Sequence, residues 1–382
     1  MPGGIRVERR LGNPRWVAFV VPVVALIVAA IVTAAVLAAS GHQPLQVYQQ
    51  IYQAGFTANG ALSRTFVYAT PLLFTGLAAA VAFRMKVWNI GGEGQLYAGA
   101  IGAAGVGLAL HTWPGPLVII AMVIGGALAG ALWAAIPGLL RAYLRTNEIL
   151  TSLMLNYVAG LLLYYLIYDS TSYWRDMTSA SAKVFPTGKS IEASAFWPQL
   201  SFGAALVVPM GFGLGIVVAL GIWTVTRTSP TGFAMSVIGE SPGAATYAGM
   251  RTKRTIAGVM LASGAFAGIG GASQIGDFGH TLDPRGLQQA GYGYTGIVVA
   301  ALGRYNPLAV VIVSFLIGAL TNAGFALQGP DFPSGLVGVI EGIILFSVLA
   351  GEALSRYRIS LRRSPRTADT APGTPVGEVV AP

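Results

Sequence analysis

The sequence contains no cysteine, so it can build neither a disulfide framework nor a thiolate metal site. Histidine is nearly as scarce: His42, His111 and His280 stand far apart, with no pair at the helical spacing that holds a metal. Only 10% of the residues are charged, against roughly 25% in a soluble domain. A nucleotide-hydrolysing loop is missing too. Thr187-Gly188-Lys189-Ser190 imitates the end of one, but Lys183 stands where the motif needs its first glycine. No cofactor or metal is therefore expected. An intramembrane enzyme would need a nucleophile–base pair or a metal cluster inside the bilayer, and the chain is read as a non-enzyme.

What the sequence has in quantity is apolar length. Hydrophobic residues make up 54% of the chain, and glycine contributes 51 positions. Small residues favour close helix–helix approach in membranes. A bilayer core takes about 20 apolar residues in a helix, which gives ten candidate spans: 17–40, 65–83, 95–112, 117–140, 148–168, 204–226, 255–275, 290–303, 306–327 and 335–351. The first follows Arg6, Arg9, Arg10 and Arg15, as a signal peptide would, but it is too long for an h-region of roughly 7–15 residues. The fold class expected is an all-α polytopic membrane protein.

Basic residues decide the orientation. With both ends in the cytoplasm, eighteen of the 23 Lys and Arg fall inside and five outside: Arg64, Arg175, Lys183, Lys189 and Arg285. This split accounts for the net charge of +9 without invoking nucleic acid, and the basic cluster after the last span suits anionic membrane lipid. The expected organisation is a cytoplasmic basic segment at 1–16, a transmembrane domain at 17–355 and a cytoplasmic basic tail at 356–382 that is disordered from Ser364 onward. Residues 169–203 form a long outer loop, and 227–254 a cytoplasmic loop.

Spans two to five and seven to ten enter the membrane from opposite sides. Each set carries a glycine-broken string after its first helix, Asn89-Ile90-Gly91-Gly92-Glu93-Gly94 and Gln274-Ile275-Gly276-Asp277-Phe278-Gly279. Pro116-Leu117-Val118 and Asn306-Pro307-Leu308 then sit at matching joints. Opposed repeats with interrupted helices point to an inverted-repeat transporter, with the breaks near the substrate path.

Four stretches carry the candidate function. In Val87 to Gln95, a carboxylate and two amides lie among glycines; this is either a turn capped by Glu93 or irregular backbone beside a wet path. In Arg145 to Tyr157, Thr146 or Asn147 can cap a helix, Glu148 suits its first turn, and Asn156 needs a partner two turns in. In the cytoplasmic loop, Ser241-Pro242 starts a short helix with a smooth face of Ala244, Ala245, Ala248 and Gly249, suited to docking in a partner's groove or to resting on lipid. Glu341 is an ionisable residue inside the last span, and so a functional candidate. The pathway residues expected are Asn89, Glu93, Gln95, Asn156, Tyr157, Gln274 and Glu341.

The strings at 89–95, 147–157, 239–245 and 301–308, in that order, resemble the membrane subunits of bacterial ABC importers. More narrowly they resemble permeases for nucleosides and simple sugars, related to ribose and branched-chain amino acid permeases. The similarity spans roughly residues 17–355. It implies a ten-helix type II importer fold in the inner membrane. It implies a coupling helix carrying Glu240, Ser241, Pro242, Ala244, Ala245 and Gly249 against a separate cytoplasmic ATPase. It also implies an outer solute-binding lipoprotein and a second permease subunit, the longer loop at 169–203 suggesting the larger member of a heterodimer. Ser241 departs from the family's usual Asn but can still cap. The rival expectation is an ion-coupled secondary transporter using Glu341 or Glu93, in which the small-residue cytoplasmic loop has no role.

Overall fold

A backbone in hydrocarbon must satisfy its own hydrogen bonds, and helices are how this sequence does so. The structure, a computed structural model, describes residues 5–9, 17–178, 180–203, 206–328 and 335–361. Arg10, Arg15, Arg362, Arg363, Arg366 and the stretch from Ser364 lie outside them. The helices run α1 (Val17–Ala39), α2 (Pro44–Tyr52), α3 (Ala61–Arg84), α4 (Gly92–Ala109), α5 (Gly115–Leu144), α6 (Glu148–Tyr164) and α7 (Ala180–Val184). They continue α8 (Met210–Thr228), α9 (Pro230–Glu240), α10 (Pro242–Tyr247), α11 (Thr252–Ser273), α12 (Pro284–Ala290), α13 (Tyr292–Leu302), α14 (Pro307–Ala326) and α15 (Gly335–Arg356). The protein is a polytopic, all-α membrane bundle.

Each of the ten predicted spans falls on a helix, but length and apolarity alone support fewer crossings. Six stretches qualify: Ala61–Arg84, Gly115–Leu144, Glu148–Asp169, Met210–Thr228, Thr252–Gly279 and Pro307–Ala326. A seventh appears if Val23–Ala39 and Pro44–Thr57, bent by 119° at their joint, count as one. The shortfall has local causes. Glu93, Gln95 and many glycines lower the hydropathy of α4, α13 has 11 residues, and the apolar part of α15 is short, Gly338–Gly351. The sixth span starts later than expected. Strand β3 (Leu206–Pro209) pairs antiparallel with β2 (Gln199–Phe202), and α8 begins only after Pro209.

The two predicted repeats pack through equivalent sets of contacts. Helix α5 lies along α11 as α14 lies along α3, α4 crosses α11 as α13 crosses α3, and α4 touches α6 as α13 touches α15. The closest of these seams is α5–α11. Gly126 and Gly130 face Gly264 and Gly268, two small-xxx-small pairs that let the backbones touch. A Cβ on Gly130 would come within 2.7 Å of the Gly268 Cα, and one on Gly268 would run into the Gly126 carbonyl.

The segment expected as the outer loop, 169–203, is packed rather than loose. Trp174 Nε1 donates to the Ile101 carbonyl at 3.0 Å, and the buried Trp197 donates its backbone N–H to Gly276 at 3.0 Å. Asp277, in the π-helical turn Gln274–Gly279, accepts the Gly211 N–H at 3.1 Å and so caps α8 from the second repeat. At the other side of the bundle α1 packs along α15. Strand β4 (Tyr357–Leu361), within the stretch expected as tail, pairs antiparallel with β1 (Ile5–Arg9), so the two ends of the bundle meet.

Candidate functional site

The two repeats cross where α4 and α13 begin. Gly92 and Gly293 are in backbone contact there, and the buried Glu93 spans the joint. Its Oε1 accepts the Tyr97 hydroxyl at 2.6 Å and its Oε2 accepts the Gly293 N–H. Thr75 Oγ1, from α3, donates to the Tyr292 carbonyl at 2.9 Å on the other side of the crossing. An amide at the start of each helix is thus met by a side chain, because Asn156 Oδ1 accepts the Gly94 N–H at 2.9 Å.

The buried amides pair with one another. Asn89 Nδ2 donates to Gln95 Oε1 at 2.9 Å and to Ser263 Oγ at 2.8 Å, and Gln95 Nε2 returns to Asn89 Oδ1 at 3.0 Å. Asn156 Nδ2 donates to the Ile90 carbonyl at 2.8 Å. Asn89 and Gln95 therefore hold the broken backbone together. Asn147 is the cap of α6, accepting from Ile149 N at 2.9 Å, while Glu148 pairs with Arg141 Nε at 3.2 Å. Replacing Asn156 by Leu should strand the Gly94 N–H and the Ile90 carbonyl at a cost of ~1–3 kcal/mol each. The thermal midpoint of purified protein should fall, whereas the exposed Met154→Leu on the same helix should leave it in place.

Two cavities flank the crossing and share Tyr294. One, of about 280 Å³, is lined by Glu93, Tyr97, Asn156, Tyr157, Tyr164 and Gln288 among others. The other, of about 330 Å³, is lined by Gln289, Thr295, Thr321, Phe325, Gln328 and Glu341 among others. Glu341 accepts the Thr295 hydroxyl at 2.9 Å and the Thr321 hydroxyl at 3.4 Å. Of the predicted pathway residues, the cavities thus gather Glu93, Asn156, Tyr157 and Glu341. Gln274 is buried at the start of the π-helical turn and lines neither. Tyr97, Tyr164, Tyr294 and the glutamines Gln288, Gln289 and Gln328 were not legible as site residues, since only the folded crossing brings them together. A larger apolar cavity of about 730 Å³ lies between α8, α9 and α11, away from this polar junction, with Arg251 and Arg254 on its wall.

The loop at 227–254 folds as predicted at its start and differs at its face. Ser241 caps α10, accepting the Ala244 N–H at 3.4 Å, and Gly249 ends it with φ of +76°. Ala245 does not belong to the docking face: it is fully buried under α10, while Ala244 and Ala248 are exposed. A six-residue helix laid on α9 and α11 must turn one side inward, and that side is Ala245. The projecting residue is Tyr247, 97% exposed. The loop is tied back to the crossing. Gly239 lies against the Met85 backbone at a distance a Cβ would close to 3.1 Å, and Lys86 Nζ pairs with Glu240 at 3.0 Å. Both tethers reach the linker that leads into α4.

Residues 61–349 match the family described as branched-chain amino acid transport system / permease component. Among curated proteins, the chain is 31% identical to a guanosine ABC transporter permease protein of Bacillus subtilis, covering 88% of this chain and 94% of that one. It is 29% identical to a nucleoside ABC transporter permease protein of Lactococcus lactis, over 86% and 90% of the two chains. It is also 29% identical to a glucose ABC transporter permease protein of Haloferax volcanii, over 94% of each. No solved structure matches.

Proposed function

We infer that this chain, which belongs to the branched-chain amino acid transport system / permease component family and is a permease subunit of an ABC importer, carries a neutral nucleoside or simple sugar inward. The observation that carries the choice of solute is the chemistry around the crossing. Two cavities contain the carboxylates Glu93 and Glu341 together with hydroxyls and amides, and no Lys or Arg is among their lining residues. At the helix N-termini beside them, where an anion would otherwise be attracted, Glu93 already takes the Gly293 N–H and Asn156 the Gly94 N–H. A zwitterionic amino acid would leave its carboxylate unpaired there. A neutral, hydroxyl-rich solute pairs with what is present.

Energy comes from a separate cytoplasmic ATPase in this reading, with α9, α10 and the following turn as the coupling element. The sequence offers no phosphate-binding loop of its own, and Tyr247 and Ala244 stand free on the loop. The membrane is the inner one and both termini are cytoplasmic; the eighteen-to-five split of basic residues and the pairing of β1 with β4 support that orientation. A second permease subunit completes the pore, and a solute-binding lipoprotein feeds it from outside.

The test is uptake of labelled guanosine by proteoliposomes carrying the assembled transporter. Uptake should require ATP and cease when the ATPase subunit is omitted. An ion gradient alone driving uptake through this chain would establish the ion-coupled alternative in its place.

A further inference from the structure

We propose that the two cavities flanking Tyr294 are the halves of one nucleoside site, the base lying on the tyrosine-lined side and the ribose on the Glu341 side; this rests on the importer reading above.

The tyrosines form a stripe. Tyr157, Tyr164 and Tyr168 stand seven and four residues apart along α6 and its terminal turn, which puts them on one face. Tyr157 is 63% exposed and Tyr164 40%. A phenol turned to lipid has no partner for its hydroxyl, whereas one on a wet path does. Gly160, between the first two rings, leaves the floor flat, and Gln288 Nε2 fastens to its carbonyl at 2.9 Å. At the outer end the Arg285 guanidinium lies 5.4 Å from the Tyr168 ring centre. A planar, uncharged ring can stack from the outer end down to Tyr157 without a specific hydrogen bond at any step.

The other side has the complementary chemistry. Thr295 and Thr321 hold the Glu341 carboxylate in place and leave it lone pairs to spare. Neighbouring hydroxyls of a ribose can donate to it, with the amides of Gln289 and Gln328 alongside. Consecutive residues serve the two halves: Gln288 lines the tyrosine cavity and Gln289 the Glu341 cavity. Each cavity is about the smallest that holds a small molecule, ~300 Å³, and suits one ring system. Joined at Tyr294 they suit two. No Lys or Arg among the described lining residues could pair with a phosphate, so the cargo is the nucleoside itself.

The experiment is equilibrium binding of tritiated guanosine to the purified permease–ATPase assembly in nanodiscs, without an outer binding protein whose own selectivity would mask the result. Ribose and guanine should each compete ~10–100-fold more weakly than guanosine, the loss expected when one half-site is empty. Guanosine 5′-monophosphate should not compete. Tyr157→Leu should raise the guanosine Kd at least ~10-fold by removing a stacking surface. Glu341→Gln should abolish the preference for guanosine over its 2′,3′-dideoxy analogue. If Tyr157→Leu accumulates poorly, Tyr164→Leu in the same cavity gives the same reading. Ribose competing as well as guanosine, or both variants binding like the parent, overturns the two-part site. ATP-dependent uptake measured on the same preparations separates the failures. Uptake that stays ATP-dependent while binding ignores the variants sinks the site alone, and uptake independent of ATP sinks the importer reading beneath it.

Discussion

Leucine in place of Gly268 will leave at least ~10-fold less monodisperse protein in the membrane fraction, a loss of the size expected when a bundle of marginal stability is forced apart. Gly268 is the point where three helices meet: its would-be Cβ runs into the Gly126 carbonyl of α5, and Gly99 of α4 approaches it from the other side. Overpacking a core where side chains can give way costs ~1–3 kcal/mol. At Gly268 the neighbours are backbone, which cannot rotate aside, so α5 and α11 must separate and the whole seam from Gly264 to Gly271 opens. The control is on the same helix. A Cβ on Gly258 meets nothing within 4 Å, and Gly258→Leu should accumulate like the parent. Fluorescence-detected size exclusion of both variants reads the difference. A monodisperse Gly268→Leu at parental level would refute the packing argument.

The repeats were legible in the sequence, whereas length and apolarity support six or seven crossings rather than the ten expected, and the same residues show why. The opposed strings at 89–94 and 274–279 mark where the first helix of each set breaks, and both breaks are present, as a linker into α4 and as a π-helical turn before α12. Hydropathy locates a helix by its apolar window, so it finds α3, α5 and α14. It underestimates α4, whose polar first turn is buried against protein and never meets lipid. Asn89, Gln95 and Asn156 could each belong to a pathway or to the scaffold in the sequence, because an amide's role is set by its partner. The fold gives the first two to each other and to Ser263, and only Asn156 also reaches a cavity. Ala245 was misplaced for a related reason. A run of small residues marks a close contact without saying with what, and here that contact is with the bundle's own α9 and α11.

These placements give the loop proposed for coupling a mechanical route to the crossing. Gly239 seats on Met85 and Glu240 on Lys86 at the start of the linker that ends in Asn89 and Glu93. The ion pair is exposed and contributes little by itself, ~0–1 kcal/mol. The backbone contact at Gly239 is the stiffer connection. A displacement of α9 and α10 therefore bears on the N-terminus of α4, where the two repeats touch and the cavities open.

Two neighbouring alanines should accordingly respond differently to the same arginine. Ala244→Arg adds bulk and charge to the exposed face of α10; the protein should accumulate normally, retain its thermal midpoint and lose ATP-driven uptake by ~30-fold or more, the loss that ~2 kcal/mol at an interface anchor produces. Tyr247→Ala should act the same way, since an almost fully exposed tyrosine at a loop tip supplies broad contact area with few rotatable bonds and contributes nothing to the bundle it leaves. Ala245→Arg should instead fail earlier. Its guanidinium would have to enter the space under α10, where burying an unpaired charge is costly, so α10 lifts off and the amount of folded protein falls along with uptake. Membrane abundance, thermal midpoint and uptake measured side by side separate the two outcomes. Full uptake in both Ala244→Arg and Tyr247→Ala would remove α10 from the coupling surface and leave the tethers at Met85 and Lys86 as packing alone.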